Sequence, residues 1–139
     1  MTTPPAALMS HVSIGTNDYD RAIAFYDAVL AALGGKRVME LPGIAVAYGR
    51  EFPEFWVHPP YDRRQGGTAN GVHFAFMAAG PGAVKAFWDA ALAAGATPDG
   101  EPGPRPMYGP AYYGCFVRDL DGHKIEAMCL VEGESQAHG

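Results

Sequence analysis

AFYDAVLAA, residues 24–32, and AFWDAALAA, residues 86–94, differ at only two of nine positions and lie 62 residues apart. The stretch before each is strand-like. HVSIGT (residues 11–16) and HFAFMA (73–78) both alternate apolar and small or polar residues, and the same offset of 62 sets His11 on His73. Alanine-rich amphipathic helices resemble one another by chance. A histidine in the same register ahead of both helices is harder to obtain that way. The chain reads as a duplicated unit.

The surrounding sequence extends each copy. Thr16-Asn17-Asp18 offers N-caps to a helix over 19–33, whose Ala22, Ile23, Tyr26, Val29, Leu30 and Leu33 recur at helical spacing before Gly34-Gly35 stops it. Strands are expected near 36–40, 44–48 and 54–58. In the second copy a helix over 83–94 ends at Gly95. A strand near Thr97, a Gly/Pro-rich loop to about 109, and a hairpin of 112–118 and 124–131 around Asp121-Gly122 follow. Each copy reads β-α-β-β-β. Residues 59–71, PPYDRRQGGTANG, have linker composition. The predicted fold class is therefore α+β: two βαβββ modules, 9–58 and 72–131, forming a curved mixed sheet around a cleft with the helices on the outer face. One such unit leaves a sheet face bare and needs a second unit to cover it, in this chain or another.

The 139 residues suit one compact domain or two small modules sharing a core. With 48% hydrophobic and 18% charged residues, the chain can bury a core and is not of disordered composition. A net charge of −5 without a basic stripe argues against nucleic acid or an anionic membrane as partner. No apolar run is long enough to span a bilayer, and MTTPPAALMS lacks the features of a signal peptide. Cys115 and Cys129 sit in apolar surroundings and are expected as reduced core thiols, which fits a cytoplasmic location. The ends, 1–8 and GESQAHG, read as loose tails.

Strand parity then sorts the side chains. If Val12, Ile14, Phe74 and Phe76 pack on the helices, His11 and His73 point to the bare face. Ile125, Ala127 and Cys129 form the apolar set of the last strand, which leaves Glu126 on the bare face. In 54–58, Phe55 and Val57 pack inward, leaving Glu54, Trp56 and His58 opposite. Two imidazoles and two carboxylates suit a divalent transition metal, Zn, Ni, Fe or Mn, and the two negative charges offset the ion's two positive ones.

At these residues the chain resembles the vicinal oxygen chelate superfamily of glyoxalases, bleomycin-resistance proteins and extradiol dioxygenases. The matching stretches are HVSIGTNDYDRAIAFYDAVLAALGG, GVHFAF and YYGCFVRDLDGHKIEAMC. The resemblance implies paired βαβββ modules around a metal. It implies His11, His73, Glu126 and Glu54 as ligands on the glyoxalase pattern, or His11, His73 and Glu126 alone on the dioxygenase pattern. EFPEFWV departs from the glyoxalase ligand strand, so a register shift of two would put Trp56 or His58 in place of Glu54. Leu120 stands where relatives carry proline.

The expected function is a glyoxalase-like, metal-dependent lyase or isomerase acting on a small substrate chelated through adjacent oxygens, with Glu126 or Glu54 moving the proton. A metal-free drug-binding protein or an Fe(II) extradiol dioxygenase are the alternatives. Tyr108, Tyr112, Trp56 and Phe116 are candidate substrate contacts, and Arg105 a carboxylate clamp. The same tyrosines could simply pack on a sheet edge. His58 is expected on a solvated edge, His123 in a turn and His138 in a tail. A homodimer is expected, since bare concave faces need cover.

Overall fold

The computed structural model describes residues 6–131. The tail GESQAHG with His138, and the first five residues, lie outside the described part. The order is β1 (Val12–Gly15), α1 (Tyr19–Ala31), β2 (Lys36–Leu41), β3 (Ala45–Gly49), β4 (Phe55–His58), β5 (His73–Met77), α2 (Pro81–Ala93), β6 (Thr97–Pro104), β7 (Tyr112–Arg118) and β8 (Lys124–Leu130), with a single 3₁₀ turn at Pro106–Tyr108. The chain is thus two βαβββ modules. Each builds a four-stranded mixed sheet, ordered β1-β4-β3-β2 in the first and β5-β8-β7-β6 in the second. β1 runs parallel to β4 and β5 parallel to β8; the remaining pairs are antiparallel. No ladder joins the sheets among the described residues, so β1 and β5 are free edges.

Local chemistry accounts for the elements. Asp18 caps α1 by accepting from the Arg21 backbone N–H at 3.3 Å. One face of α1 buries Ala22, Ile23, Phe25, Tyr26, Val29 and Leu30, and α2 buries Val84, Phe87 and Ala91. β6 is longer than the short strand expected near Thr97. Its TPDGEPGP sequence pairs with β7 alone, through two register shifts. Proline is tolerated there because an edge strand needs partners on one side only.

One hydrophobic core runs through both modules. A file of rings crosses the junction: Tyr26 to Phe55 at 5.0 Å, Phe55 to Phe76 at 5.1 Å, and Phe76 to Phe87 at 6.3 Å. The modules also clasp each other at strand ends. The Gly15 carbonyl lies 3.0 Å from His123 Nε2 of the second module, and the Met77 carbonyl accepts from Arg50 Nη2 of the first at 2.6 Å. Gly15 and Met77 are again 62 residues apart.

Cys115 faces Ala127 and Cys129 faces Tyr113 across the hairpin, so the two thiols lie on one face, a step apart. Both are free and buried, and burial pushes the Cys115 thiol up to about 11. Folded protein at pH 8 is therefore expected to leave both thiols unreacted with a chromogenic disulfide reagent, while unfolded protein titrates two. Prompt reaction of the folded protein would contradict this packing.

Candidate functional site

The parity expected from the sequence holds in the ladders. Phe116 is paired with Glu126, Gly114 with Met128 and Arg118 with Lys124, all on the face of the second sheet away from α2. Glu126 is only 2% exposed. A buried carboxyl needs partners, and it has two. The Tyr112 hydroxyl donates to Oε2, and His73 Nε2 lies 3.3 Å from Oε1. Burial, then the hydrogen bond to Glu126, push the Tyr112 phenol well above its ordinary range, so it stays a donor. Gly114 makes room: a Cβ there would lie 3.3 Å from Glu126 Oε2 and 3.0 Å from the Ala127 carbonyl. Around this pair a cleft of about 590 Å³ is lined by residues that include His73, Tyr108, Tyr112, Phe116, Arg118, Lys124 and Glu126.

The first module carries the matching face. His11, Ser13, Trp56, His58 and Tyr61 line a cleft of about 320 Å³. The His11 and Trp56 rings meet edge-on at 6.4 Å, and Ser10 Oγ engages His11 Nδ1 at 2.9 Å, leaving Nε2 for a ligand. His58 is not on a solvated edge. It is 8% exposed, stacked on Tyr61 at 4.3 Å, with Nδ1 2.6 Å from the Pro59 carbonyl and Nε2 buried without a hydrogen-bond partner among the described residues.

Strand register decides what the first module offers opposite Glu126. Ala75 pairs with Glu126, and Ser13, its counterpart at the offset of 62, pairs with Trp56. Trp56 therefore holds the equivalent of the Glu126 position. Indole has only an N–H donor and cannot ligate. Glu54 precedes β4, is exposed, and has its carboxylate beside Gly49. Arg105 lies 5.7 Å over the Phe116 ring and donates to the Glu101, Gly103 and Pro104 carbonyls, bracing the loop. Tyr108 and Tyr112 meet edge-on at 5.3 Å.

His73 and Glu126 stand together, 3.3 Å apart, which is also the separation of two ligands sharing one ion at about 2.1 Å each. His11 lies on the first module, and a cleft of about 560 Å³ between the modules is lined by His11 and Glu54 on one side and His73 on the other, while Glu126 lines the second module's own cleft. Among the described residues, one group of three His, Cys, Asp or Glu residues has ligand atoms within 4.8 Å of one another: Asp119, Asp121 and His123. By composition it is a candidate metal group. Its atoms are already engaged, however. Asp119 accepts from the Asp121 and His123 backbone N–H groups and from the Tyr26 hydroxyl. His123 Nδ1 faces the Ala69 N–H at 3.3 Å while Nε2 meets the Gly15 carbonyl. Burial raises both Asp119 and Tyr26 above their ordinary values. These contacts tie the β7–β8 turn to α1 and β1.

Comparison with known proteins gives the family. Residues 8–127 match the Glyoxalase/Bleomycin resistance protein/Dioxygenase superfamily. The search of curated proteins returned no match. Among solved structures, a glyoxalase/bleomycin resistance protein from Albidiferax ferrireducens T118 is 32% identical, with a TM-score of 0.81, over 88% of this chain and 99% of that one. A lactoylglutathione lyase from Agrobacterium tumefaciens shares the fold at 24% identity and a TM-score of 0.62, over 91% of this chain and 96% of that one. A family enzyme from Burkholderia phytofirmans PsJN does so at 20% and 0.68, over 88% and 98%. Among the described residues no helix is long and apolar enough to cross a membrane. With paired βαβββ modules and a family match covering nearly all of the described residues, the chain belongs to the glyoxalase/bleomycin resistance protein/dioxygenase superfamily.

Proposed function

We propose that the protein is a metal-dependent enzyme whose centre forms between two copies of the chain, from His11 of one copy and His73 with Glu126 of the other. The observation that carries the reading is the buried Glu126 carboxyl held 3.3 Å from the half-exposed His73 imidazole, at a cleft that its own chain leaves open. The β1 and β5 edges, which share one cleft within the chain, carry no ladder partner among the described residues and leave room for a second copy beside it. A divalent transition metal bound there supplies Lewis acidity to two adjacent oxygens of a small substrate. Two histidines and one carboxylate form a three-ligand set that leaves up to three positions of an octahedron open. Trp56 in the fourth place favours this set over four protein ligands, and moves the reading from glyoxalase-like isomerisation toward extradiol-type chemistry. Tyr112 orients Glu126 through Oε2 and leaves Oε1 toward the ion. Glu54 stays outside the set.

Complementation tests the reading. His11→Ala and His73→Ala chains are each expected to bind no metal as homodimers. After unfolding and refolding together, half the dimers are mixed, and each has one intact site, so about one quarter of the metal sites return. No recovery, or two single variants that load metal fully, would overturn an interchain centre.

A further inference from the structure

The chain has two asparagines, and the fold treats them oppositely. Asn17 is held at each group that could react. Its Nδ2 donates to the Gly66 carbonyl at 3.0 Å, and its Oδ1 accepts from the Gly66 N–H at 2.7 Å. The N–H that follows it, of Asp18, donates to Thr16 Oγ1 at 3.2 Å. Asn70 precedes Gly71 and is exposed. Among the described residues neither its carboxamide nor the Gly71 N–H has a hydrogen-bond partner. Gly71 has φ +92°, and a Cβ there would meet nothing within 4 Å, so the peptide lies open to solvent. One bond, from the Val72 N–H to the Ala69 carbonyl at 3.1 Å, closes the turn around the pair. Upstream the linker is pinned: Thr68 Oγ1 donates to the Asp121 carbonyl at 2.8 Å, and the Ala69 N–H meets His123 Nδ1 at 3.3 Å. Downstream, Asn70, Gly71 and Val72 line the cleft that holds His73 and Glu126.

We propose that Asn70–Gly71 is a self-modifying site that places a new carboxylate in this cleft. The Gly71 nitrogen, having given its proton to hydroxide, attacks the side-chain carbonyl carbon of Asn70. The new N–C bond closes a succinimide ring, and the bond to the amide nitrogen breaks, releasing ammonia. Water then opens the ring at either carbonyl. The product is aspartate or, with the main chain rerouted through the side-chain carbon, isoaspartate. One water enters, one ammonia leaves, and nothing is oxidised or reduced. Glycine suits the attacking position because it has no side chain to obstruct the approach and wide backbone freedom. Either product adds one negative charge to a chain of net charge −5. In isoaspartate the main chain is also one carbon longer. The pinned Thr68 and Ala69 cannot take up that carbon, so it pushes the backbone toward His73. The first module has no counterpart, because the offset of 62 puts Leu8 and Met9 at these positions. The modification therefore marks the Glu126 cleft alone, and it stands whether or not that cleft binds a metal.

The test holds the full chain in mildly alkaline buffer, folded or unfolded in guanidinium chloride, and digests samples with trypsin at intervals. Peptides 65–85 and 1–21 carry one asparagine each. Conversion is read as a mass gain of about 1 Da, and the isoaspartyl form by its separate elution. Folding is expected to slow Asn70 by no more than about threefold and Asn17 by at least about tenfold, since only Asn17 must first break its bonds to the fold. The rate at Asn70 is expected to rise with pH, as loss of the amide proton requires. Asn70→Gln, whose longer side chain closes a ring poorly, is expected to abolish the more acidic form that the intact protein accumulates on anion exchange. Slowing of Asn70 by the fold as great as that of Asn17, a rate independent of pH, or an acidic form that persists in Asn70→Gln would overturn the site.

Discussion

Glu126→Gln is expected to lower the affinity for a divalent transition metal by more than about 100-fold, beyond the 10- to 100-fold loss typical of outer-shell changes. Glutamine keeps the shape of the side chain, and its amide oxygen can still accept from the Tyr112 hydroxyl. With that bond kept, the amide turns its NH2 group to the position of Oε1, so the charge and the ligating oxygen are lost together. In a position 2% exposed, two neutral imidazoles and a neutral amide leave a doubly charged ion without a counter-charge, which burial makes costly. Tyr112→Phe removes the orienting donor but leaves the carboxylate, so its loss should fall within about 10- to 100-fold. Competition against a chromogenic chelator, with circular dichroism to confirm folding, measures both. Wild-type affinity in Glu126→Gln would place the ion elsewhere, and Asp119→Asn would then be the variant that loses it.

Phe55→Ala is expected to be the most damaging truncation for stability, by about 3–5 kcal/mol. Phe55 lies on β4, an interior strand of the first sheet, and is 3% exposed. Its ring meets Tyr26 at 5.0 Å on one side, and Phe74 at 6.0 Å and Phe76 at 5.1 Å on the other. The side chain thus belongs to both modules. Its removal opens a cavity at their junction, and neither backbone can collapse into it without pulling on the other. Against a total of roughly 5–15 kcal/mol for a domain of ordinary stability, the loss corresponds to a Tm lower by roughly 10–20 °C. Phe55→Leu should cost clearly less. A Tm within a few degrees of wild type for Phe55→Ala would show that the junction is not a shared core.

The fold was legible because its signals are local. Helical spacing, Gly34-Gly35, the Asp18 cap and the alternation around His11 and His73 each act within a few residues, and the offset of 62 joins them. Parity correctly turned Glu126, Phe116 and Trp56 to the open faces. What parity does not give is the register of a parallel pair separated by a helix and two strands. Whether Glu54, Trp56 or His58 stands opposite the key position depends on the β1–β4 ladder, and that ladder selects Trp56. β6 was mostly hidden because Pro98, Gly100, Pro102 and Gly103 read as loop, though one-sided pairing tolerates them. The burial of His58 was hidden too, because it depends on Tyr61 of the linker folding back over the ring.

The reciprocal clasp between Gly15 and His123, and between Met77 and Arg50, bears on how the chain folds. Each half finishes the backbone of the other, so a nascent first module leaving the ribosome still lacks the donor for one strand-end carbonyl and half of its aromatic file. Duplication left two copies in the text of the chain. The cross-bracing makes them a single cooperative unit, in which neither copy reaches its mature state until the last strand has arrived.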